Sequence, residues 1–397
     1  MSSMWGNRIK ISIFGESHGE AIGVTIDGLP AGMELDEARI GAFLQRRASR
    51  GLPWSTSRQE PDQPRILSGF YRGRTTGAPL AALIENQNMR SADYESLQSI
   101  PRPGHADLTA TAKYAGFQDP RGGGHFSGRL TAPLAFAGAV CMQILEKRGV
   151  FIFAHAESVG SCKDRSFDPV RPDLAALRAI GTKAFPVLDD TCAEAMIARI
   201  MQAKDRSDSV GGVVECIALG VPAGLGDPMF DSLEARIASI LFGIPAVKGV
   251  EFGDGFEVAG RQGSENNDVP FFKRQGERQG DGSGQGDGSS VLRQMNRPPV
   301  SPVPPLVPLV IRYKTNHAGG IEGGIANGMP ILFRAAFKPT PSIAREQESI
   351  DLDRKENIRF EVKGRHDPCI VPRAVPVVEA ACAVAILDSW MDSFKEG

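Results

Sequence analysis

Gly15-Glu16-Ser17-His18-Gly19, followed by Ala21-Ile22-Gly23-Val24-Thr25-Ile26-Asp27-Gly28, decides between two architectures. The first five residues fit the G-x-S-x-G pattern of a hydrolase nucleophile elbow, which needs a strand before the serine and a helix after it. The strand is present: Arg8 to Phe14 alternates polar and apolar residues. The helix is not. Ile22, Val24 and Ile26 recur at period two, the mark of a second strand. The pentapeptide therefore reads as a turn between strands, with Ser17 and His18 at its tip.

Outward from this turn, the chain is an ordinary globular one. Its 397 residues are 41% hydrophobic and 23% charged, with a net charge of -2. Such a balance supports a large core and gives no electrostatic case for nucleic acid or an anionic membrane surface. Anion binding must then come from local arginine clusters. None of the six cysteines forms a C-x-x-C pair, so free thiols are expected rather than disulfides or zinc ligands. No secretory h-region opens the chain. The apolar run from Thr131 to Leu145 is short and rich in small residues, and is expected to be a buried helix rather than a membrane span. The cytoplasm is the expected compartment.

Strand and helix periods alternate without a βαβ rhythm, which predicts an antiparallel α+β fold rather than a doubly wound sheet. Asp36 caps an expected helix ending near Arg46 and Arg47, with Leu35 and Ile40 as a hydrophobic staple. The segment 48–63 reads as a loop. Strands are expected at Ile66–Phe70, Leu80–Ile84, Phe151–Val159 and Gly212–Val221. Thr191-x-x-Glu194 is read as a capping box for a helix through Lys204; further helices are expected at Asp231–Leu241 and Val375–Trp390. Residues 272–308 form a low-complexity tract rich in Gly, Gln and Pro, which cannot bury enough surface to offset its ordering entropy and reads as a disordered surface insertion.

The chemistry concentrates in glycine-rich turns. His155 lies mid-strand and reads as structural. His18, His105, His125, His317 and His366 all sit in turns (SHG, RPGHAD, GGGHFS, NHAGG, GRHDP), which predicts a shared cleft. Arg102-Pro103-Gly104-His105 and the run Arg121 to Arg129 combine guanidinium groups with bare backbone, a combination suited to anions. Lys338-Pro339-Thr340-Pro341-Ser342 offers a cation and two hydroxyls as a phosphate clasp. A near Walker A at Gly69–Thr76 lacks the lysine and the following helix, and no G-x-G-x-x-G stands in a Rossmann context.

Taken in order, GESHG, RPGHADLT, KYAGFQDPRGGG, VKGVEFGDGF, GSENND, NHAGGIEGGIANG, AFKPTPSI and GRHDPC resemble the chorismate synthase family, from about Trp5 to about Leu387. The tract near 272–308 is the main part outside the resemblance. The family implies one domain over 1–397, a β-α-β sandwich with antiparallel sheets outside and helices between, and a homotetramer. It implies the 1,4-anti elimination of phosphate from 5-enolpyruvylshikimate 3-phosphate, with reduced FMN supplied by an external reductant. By matched motif, His18 is the general acid at the leaving phosphate, His105 lies at the flavin N1 edge, and Asp367 relays the C6 proton. Ser17, Arg47, Arg102, Gly128 and Arg129 are the implied substrate contacts. His125, Phe126, Ser127, Ala246, Gly323, Lys338, Pro339, Thr340, Pro341, Ser342 and Arg365 are the implied FMN contacts.

The chain departs from the family at two places. His125 and Phe126 stand where an Arg and a Ser help hold FMN. Pro53 stands where the loop after Arg47 usually carries an arginine, with Arg50 as the expected substitute. Two other readings compete: a flavin- or phosphate-binding homologue without turnover, and a serine hydrolase using Ser17.

Overall fold

The computed structural model of the chain describes residues 3–58, 60–88, 99–274, 309–362, 364 and 366–394. It opens with β1 (Met4–Trp5), β2 (Lys10–Gly15) and β3 (Ala21–Asp27), followed by α1 (Glu37–Arg47), β4 (Pro64–Ser68) and β5 (Leu80–Glu85). These strands form an antiparallel sheet in the order β1-β2-β3-β5-β4. Gly15 pairs with Ile22, so the GESHG turn leaves the end of the sheet as a strand-to-strand connection. The elbow geometry is excluded. Ile22, Val24 and Ile26 are fully buried, which is why the period-two face was legible.

Next come α2 (Asp107–Tyr114) and α3 (Thr131–Glu146), then β6 (Phe151–Val159), β7 (Cys162–Lys163), α4 (Leu174–Ile180), α5 (Asp190–Asp205), β8 (Gly212–Leu219), α6 (Leu233–Phe242) and β9 (Val247–Phe252). With β10 (Ile331–Phe337), the later strands form a second antiparallel sheet, ordered β9-β10-β8-β6-β7. The chain closes with α7 (Val371–Ser393). Helix α3 packs on β2, β3 and β5 of the first sheet; α7 packs on β6 and β8 of the second; and the two helices pack on each other. Gly138 permits that last contact, because a Cβ there would collide with the backbone and Cβ of Ala380. By length and composition, Gly128–Glu146 and Val371–Ser393 could each cross a membrane, yet 83% and 89% of their apolar windows are buried inside the fold.

Buried carboxylates tie the layers together. Glu379 of α7 accepts two hydrogen bonds from Arg46 of α1, at 2.6 and 2.9 Å, and one from the Ala154 amide of β6 at 2.9 Å. Asp388 of α7 accepts the amides of Asn7, Arg8 and Ile9, while Arg236 of α6 pairs with it at 3.1 Å. His155 is structural, as expected: its ring lies between Asp164 at 3.1 Å and Glu215 at 3.0 Å. Burial opposes its charge, but the hydrogen bonds to both carboxylates prevail and raise its pKa.

Several boundaries differ from the sequence reading. The cap of α5 is Asp189, which accepts from both the amide and the hydroxyl of Thr191, so Thr191 is a donor rather than the cap. Ser232 caps α6, leaving Asp231 in a preceding 3-10 turn. Helix α7 starts four residues earlier than expected: Pro372 lies in the first turn, where a missing N–H is harmless. The tract expected to begin at 272 starts inside a strand, since Pro270–Arg274 pairs with Leu309–Tyr313. Its remainder, 275–308, lies outside the described residues.

Candidate active site

A cavity of about 670 Å³ opens between the loop 48–63, the α2 approach, the glycine loop before α3, the α6–β9 turn, the segment after β10 and the start of α7. Its size suits a small organic ligand or two. One part of the lining is cationic: Arg47, Arg58, Arg102, Arg129, Lys338 and Arg373. Another is apolar: Phe126, Phe242, Ile244, Pro245, Val247, Phe337, Ile370 and Val377.

Two of the arginines are fixed by one carboxylate. Asp62, 1% exposed, splits its oxygens between Arg47 Nη1 at 2.6 Å and Arg129 Nη1 in a very short contact. Arg47 also donates to Thr131 Oγ1 and the Gly128 carbonyl; Arg129 donates to Asn86 Oδ1 and the Glu85 carbonyl. Burial lowers Arg47 to about 10 despite the attraction of Asp62. Burial pushes Asp62 upward, but Arg47 and Arg129 more than compensate and hold it below its ordinary value.

A second carboxylate organises the RPGHAD turn. Asp107 Oδ2 accepts the Arg102 amide at 3.0 Å and Nε at 2.7 Å; Oδ1 accepts Arg102 Nη2 at 2.8 Å and meets His105 Nδ1 at 2.6 Å. Arg102 Nη1 extends to Ser342 Oγ at 3.1 Å, joining this turn to the KPTPS segment. Burial lowers the His105 pKa more than Asp107 raises it. Asp107 itself is held far below the carboxylate range: burial opposes this, but the bonds from Arg102 and His105 dominate.

His18 lies one layer behind the wall. It is 4% exposed, and Gly122, which does line the cavity, covers it. Gly122, Gly123 and Gly124 all have positive φ (59°, 84° and 52°). A Cβ on Gly122 would collide with the His18 ring, and one on Gly123 would come within 3.0 Å of His105 Cε1. One bare backbone loop thus touches both histidines. The Ser17 amide donates to the Gly124 carbonyl at 3.1 Å, and Asn86 holds Glu16 and Gly19 from the other side. Burial lowers the His18 pKa, and the Arg58 charge lowers it further. Arg58 also reaches Ser17 Oγ at 3.3 Å, while Glu60 anchors it at 2.8 Å.

Most of the expected residues meet at this cavity. His105, His125, Phe126, Ser127, Gly128, Ala246, Lys338, Thr340, Pro341, Ser342, His366 and Asp367 line it. Lys338 Nζ donates to the Gly104 carbonyl, and burial lowers its pKa. Asp367 accepts the Thr56 amide at 2.7 Å and pairs with Arg373, which also donates to the Arg47 carbonyl. His125 lines the wall, but its ring nitrogens already meet the Gly15 carbonyl and Ser3 Oγ, both at 2.8 Å. Pro339 sits between two lining residues without lining the cavity itself.

Ser17, like His18 and Pro339, is not among the lining residues, and three further expectations lie elsewhere. His317 pairs with Asp254 and Arg261 instead of joining the other histidines, because Asp268 pins its backbone on that side. Gly323 lies in the turn between Ile321–Glu322 and Ile325–Ala326, outside the cavity lining. Arg50 borders a separate small recess, whereas Arg58 reaches the cavity. Arg365 lies outside the described residues. Asp62, Arg58 and Arg373 were missed by the sequence reading; Asp107, two residues after His105, carried a legible signal.

The comparisons agree along the chain. The sequence model of the family described as Chorismate synthase matches residues 9–391. A chorismate synthase of Korarchaeum cryptofilum is 43% identical over 392 residues, 99% of this chain and 98% of that protein. One of Thermococcus kodakarensis is 41% identical over 386 residues, 97% of this chain and 96% of that protein. A crystal structure of a chorismate synthase superposes with a TM-score of 0.70 at 27% identity, covering 98% of this chain and 94% of the other. On this full-length agreement, the chain belongs to the chorismate synthase family.

Proposed function

We propose that this cavity eliminates phosphate from 5-enolpyruvylshikimate 3-phosphate to give chorismate, as a carbon-oxygen lyase of aromatic amino acid biosynthesis. The observation that carries the proposal is the convergence of Arg47, Arg102, Arg129, His105 and Asp367 on one cavity, with His18 directly behind Gly122. The substrate carries a phosphate and two carboxylates, and bidentate guanidinium donors suit all three.

The donor set also fits reduced FMN. The apolar wall suits a flat ring system, and Thr340 Oγ1 is buried with no hydrogen-bond partner among the described residues, ready for a ligand's polar atom. Ser127, Ala246, Lys338 and Ser342 would hold the cofactor with it. When bound, the reduced flavin supplies the electron density that removal of a non-acidic C6 hydrogen requires.

The protein's own groups do the rest. The arginines bind and orient the substrate in a site whose low dielectric strengthens each charge contact. His18 is kept largely neutral by burial and by Arg58. A phosphate dianion beside Arg58 offsets that charge, though not the burial, and so favours the protonated ring; as the acid for the departing phosphate oxygen, His18 acts in a complex in which the Gly122 loop gives way. Such an acid contributes about 10²–10⁴-fold. Asp367, held by Thr56 and Arg373, takes the C6 proton. The C3–O and C6–H bonds break, a ring double bond forms, and no net oxidation occurs.

Further parts of the reading follow. The two sheets and the α3–α7 pair are read as a β-α-β sandwich forming one domain. A homotetramer is the assembly that the family resemblance implies. An external donor reduces the flavin, and the cytoplasm is the compartment.

The test is an anaerobic chorismate assay with chemically reduced FMN and an oxidised-FMN control. Product with reduced flavin alone supports the proposal. No product, with both ligands bound, refutes it in favour of a binding protein.

A further inference from the structure

Asp107 does not line the cavity, yet it touches two residues that do. His105 Nδ1 lies 2.6 Å from Asp107 Oδ1 and 3.0 Å from Arg102 Nη2. These contacts cannot both be hydrogen bonds. If Arg102 donated to a bare Nδ1, that nitrogen's lone pair would face a carboxylate oxygen at 2.6 Å, acceptor against acceptor. If Nδ1 carries the proton, it donates to Asp107, and the Arg102 approach follows from both groups sharing Oδ1. The second arrangement is the stable one. It leaves Nε2, beside Gly123, as the ring's acceptor nitrogen.

We propose that Asp107 is a positioning residue that fixes His105 as the Nδ1–H tautomer and, through the same carboxylate, aligns Arg102 for substrate. A carboxylate that sets the tautomer of a working histidine acts without touching the reacting atoms, and its exchange for an amide leaves shape while losing that control. Lys338 is the other charged group that acts on the ring, and it opposes protonation. The role of Asp107 rests on the reading of His105 as a site residue.

The experiment uses the full chain labelled with ¹³Cε1-histidine, with His105 assigned by the signal lost in His105→Gln. Asp107→Asn is expected to make His105 titrate at lower pH than in the parent, since a neutral amide no longer supports the cation. It is also expected to lower kcat by at least about tenfold, less than the roughly 10⁴-fold that a wrong tautomer can cost at a catalytic histidine. In the His105→Gln background, the same exchange is expected to leave kcat within about twofold, because residues acting as a unit are not additive, while the rise in KM from a loosened Arg102 is expected in both backgrounds. An unchanged His105 titration, or an equal kcat loss in both backgrounds, overturns the proposal. Should Asp107→Asn fail to fold, Asp107→Glu keeps the charge and moves it by one methylene. A lowered kcat that disappears in the His105→Gln background then supports the proposal, and a parental kcat overturns it. If the parent makes no chorismate, the elimination reading fails, while the titration still decides the role of Asp107.

Discussion

Gly122→Ala is the sharpest probe of how His18 is placed. Gly122 has φ of 59°, and a Cβ built on it overlaps the Cε1 and Nδ1 atoms of His18. Ordinary contact begins near 3.4 Å, so the ring or the loop must retreat. The overlap exceeds about 1 Å, and a misplacement of about 1 Å can cost about 10²-fold in rate. The backbone adds a separate penalty of about 1–2 kcal/mol for a left-handed residue with a side chain. Gly149→Ala separates the two effects: its φ is 80°, and nothing lies within 4 Å of its Cβ. Both variants are expected to lose the backbone term, and Gly122→Ala to lose about 1–3 kcal/mol more from the overlap. Only Gly122→Ala is expected to lose kcat, by about 10²-fold, in the anaerobic assay with saturating reduced FMN. If Gly122→Ala keeps kcat within twofold of the parent, His18 is not held by this loop for catalysis, and the reasoning fails.

Arg58→Gln removes a charge that lowers His18 after burial, so the His18 pKa rises and activity that needs its cation extends to higher pH; the alkaline limb of the kcat/KM profile is expected to move upward, and a fixed limb counts against His18 as the acid. Asp62→Ala leaves two guanidinium groups buried without their shared partner and is expected to destabilise the fold by roughly 3–5 kcal/mol; urea unfolding at matched m-value checks this. Gly138→Ala forces α3 away from Ala380 and is expected to cost about 1–3 kcal/mol without moving the pH profile, and a neutral effect in thermal unfolding would show that the helices can separate freely.

What the sequence made legible follows a physical pattern. Period-two apolar faces such as Ile22, Val24 and Ile26 revealed β3 because one face is wholly buried. The motif residues His105, Lys338 and Asp367 were legible because their turns carry unusual glycine, proline and charge. The clamp at Asp62 was not, because it joins Arg47 and Arg129 across loops and has no local spacing to betray it. Arg58 was hidden for a related reason: only the folded path of 48–63 brings it to the cavity. His317 shows the converse error. Its glycine-rich setting matched the other histidines, but Asp254 and Asp268 claim it elsewhere.

The clasp of Asp388 on the amides of Asn7, Arg8 and Ile9 joins residues about 380 positions apart. On the ribosome, the first sheet therefore emerges long before the carboxylate that satisfies its leading strand. The same late helix brings Arg373, Ala374 and Val377 to the cavity and Glu379 to Arg46. A nascent chain halted before Val371 would carry every motif up to Asp367 and still have neither a closed cavity nor an anchored beginning. Closure of the cavity thus waits for α7, and the length made before it must stay soluble until that helix emerges.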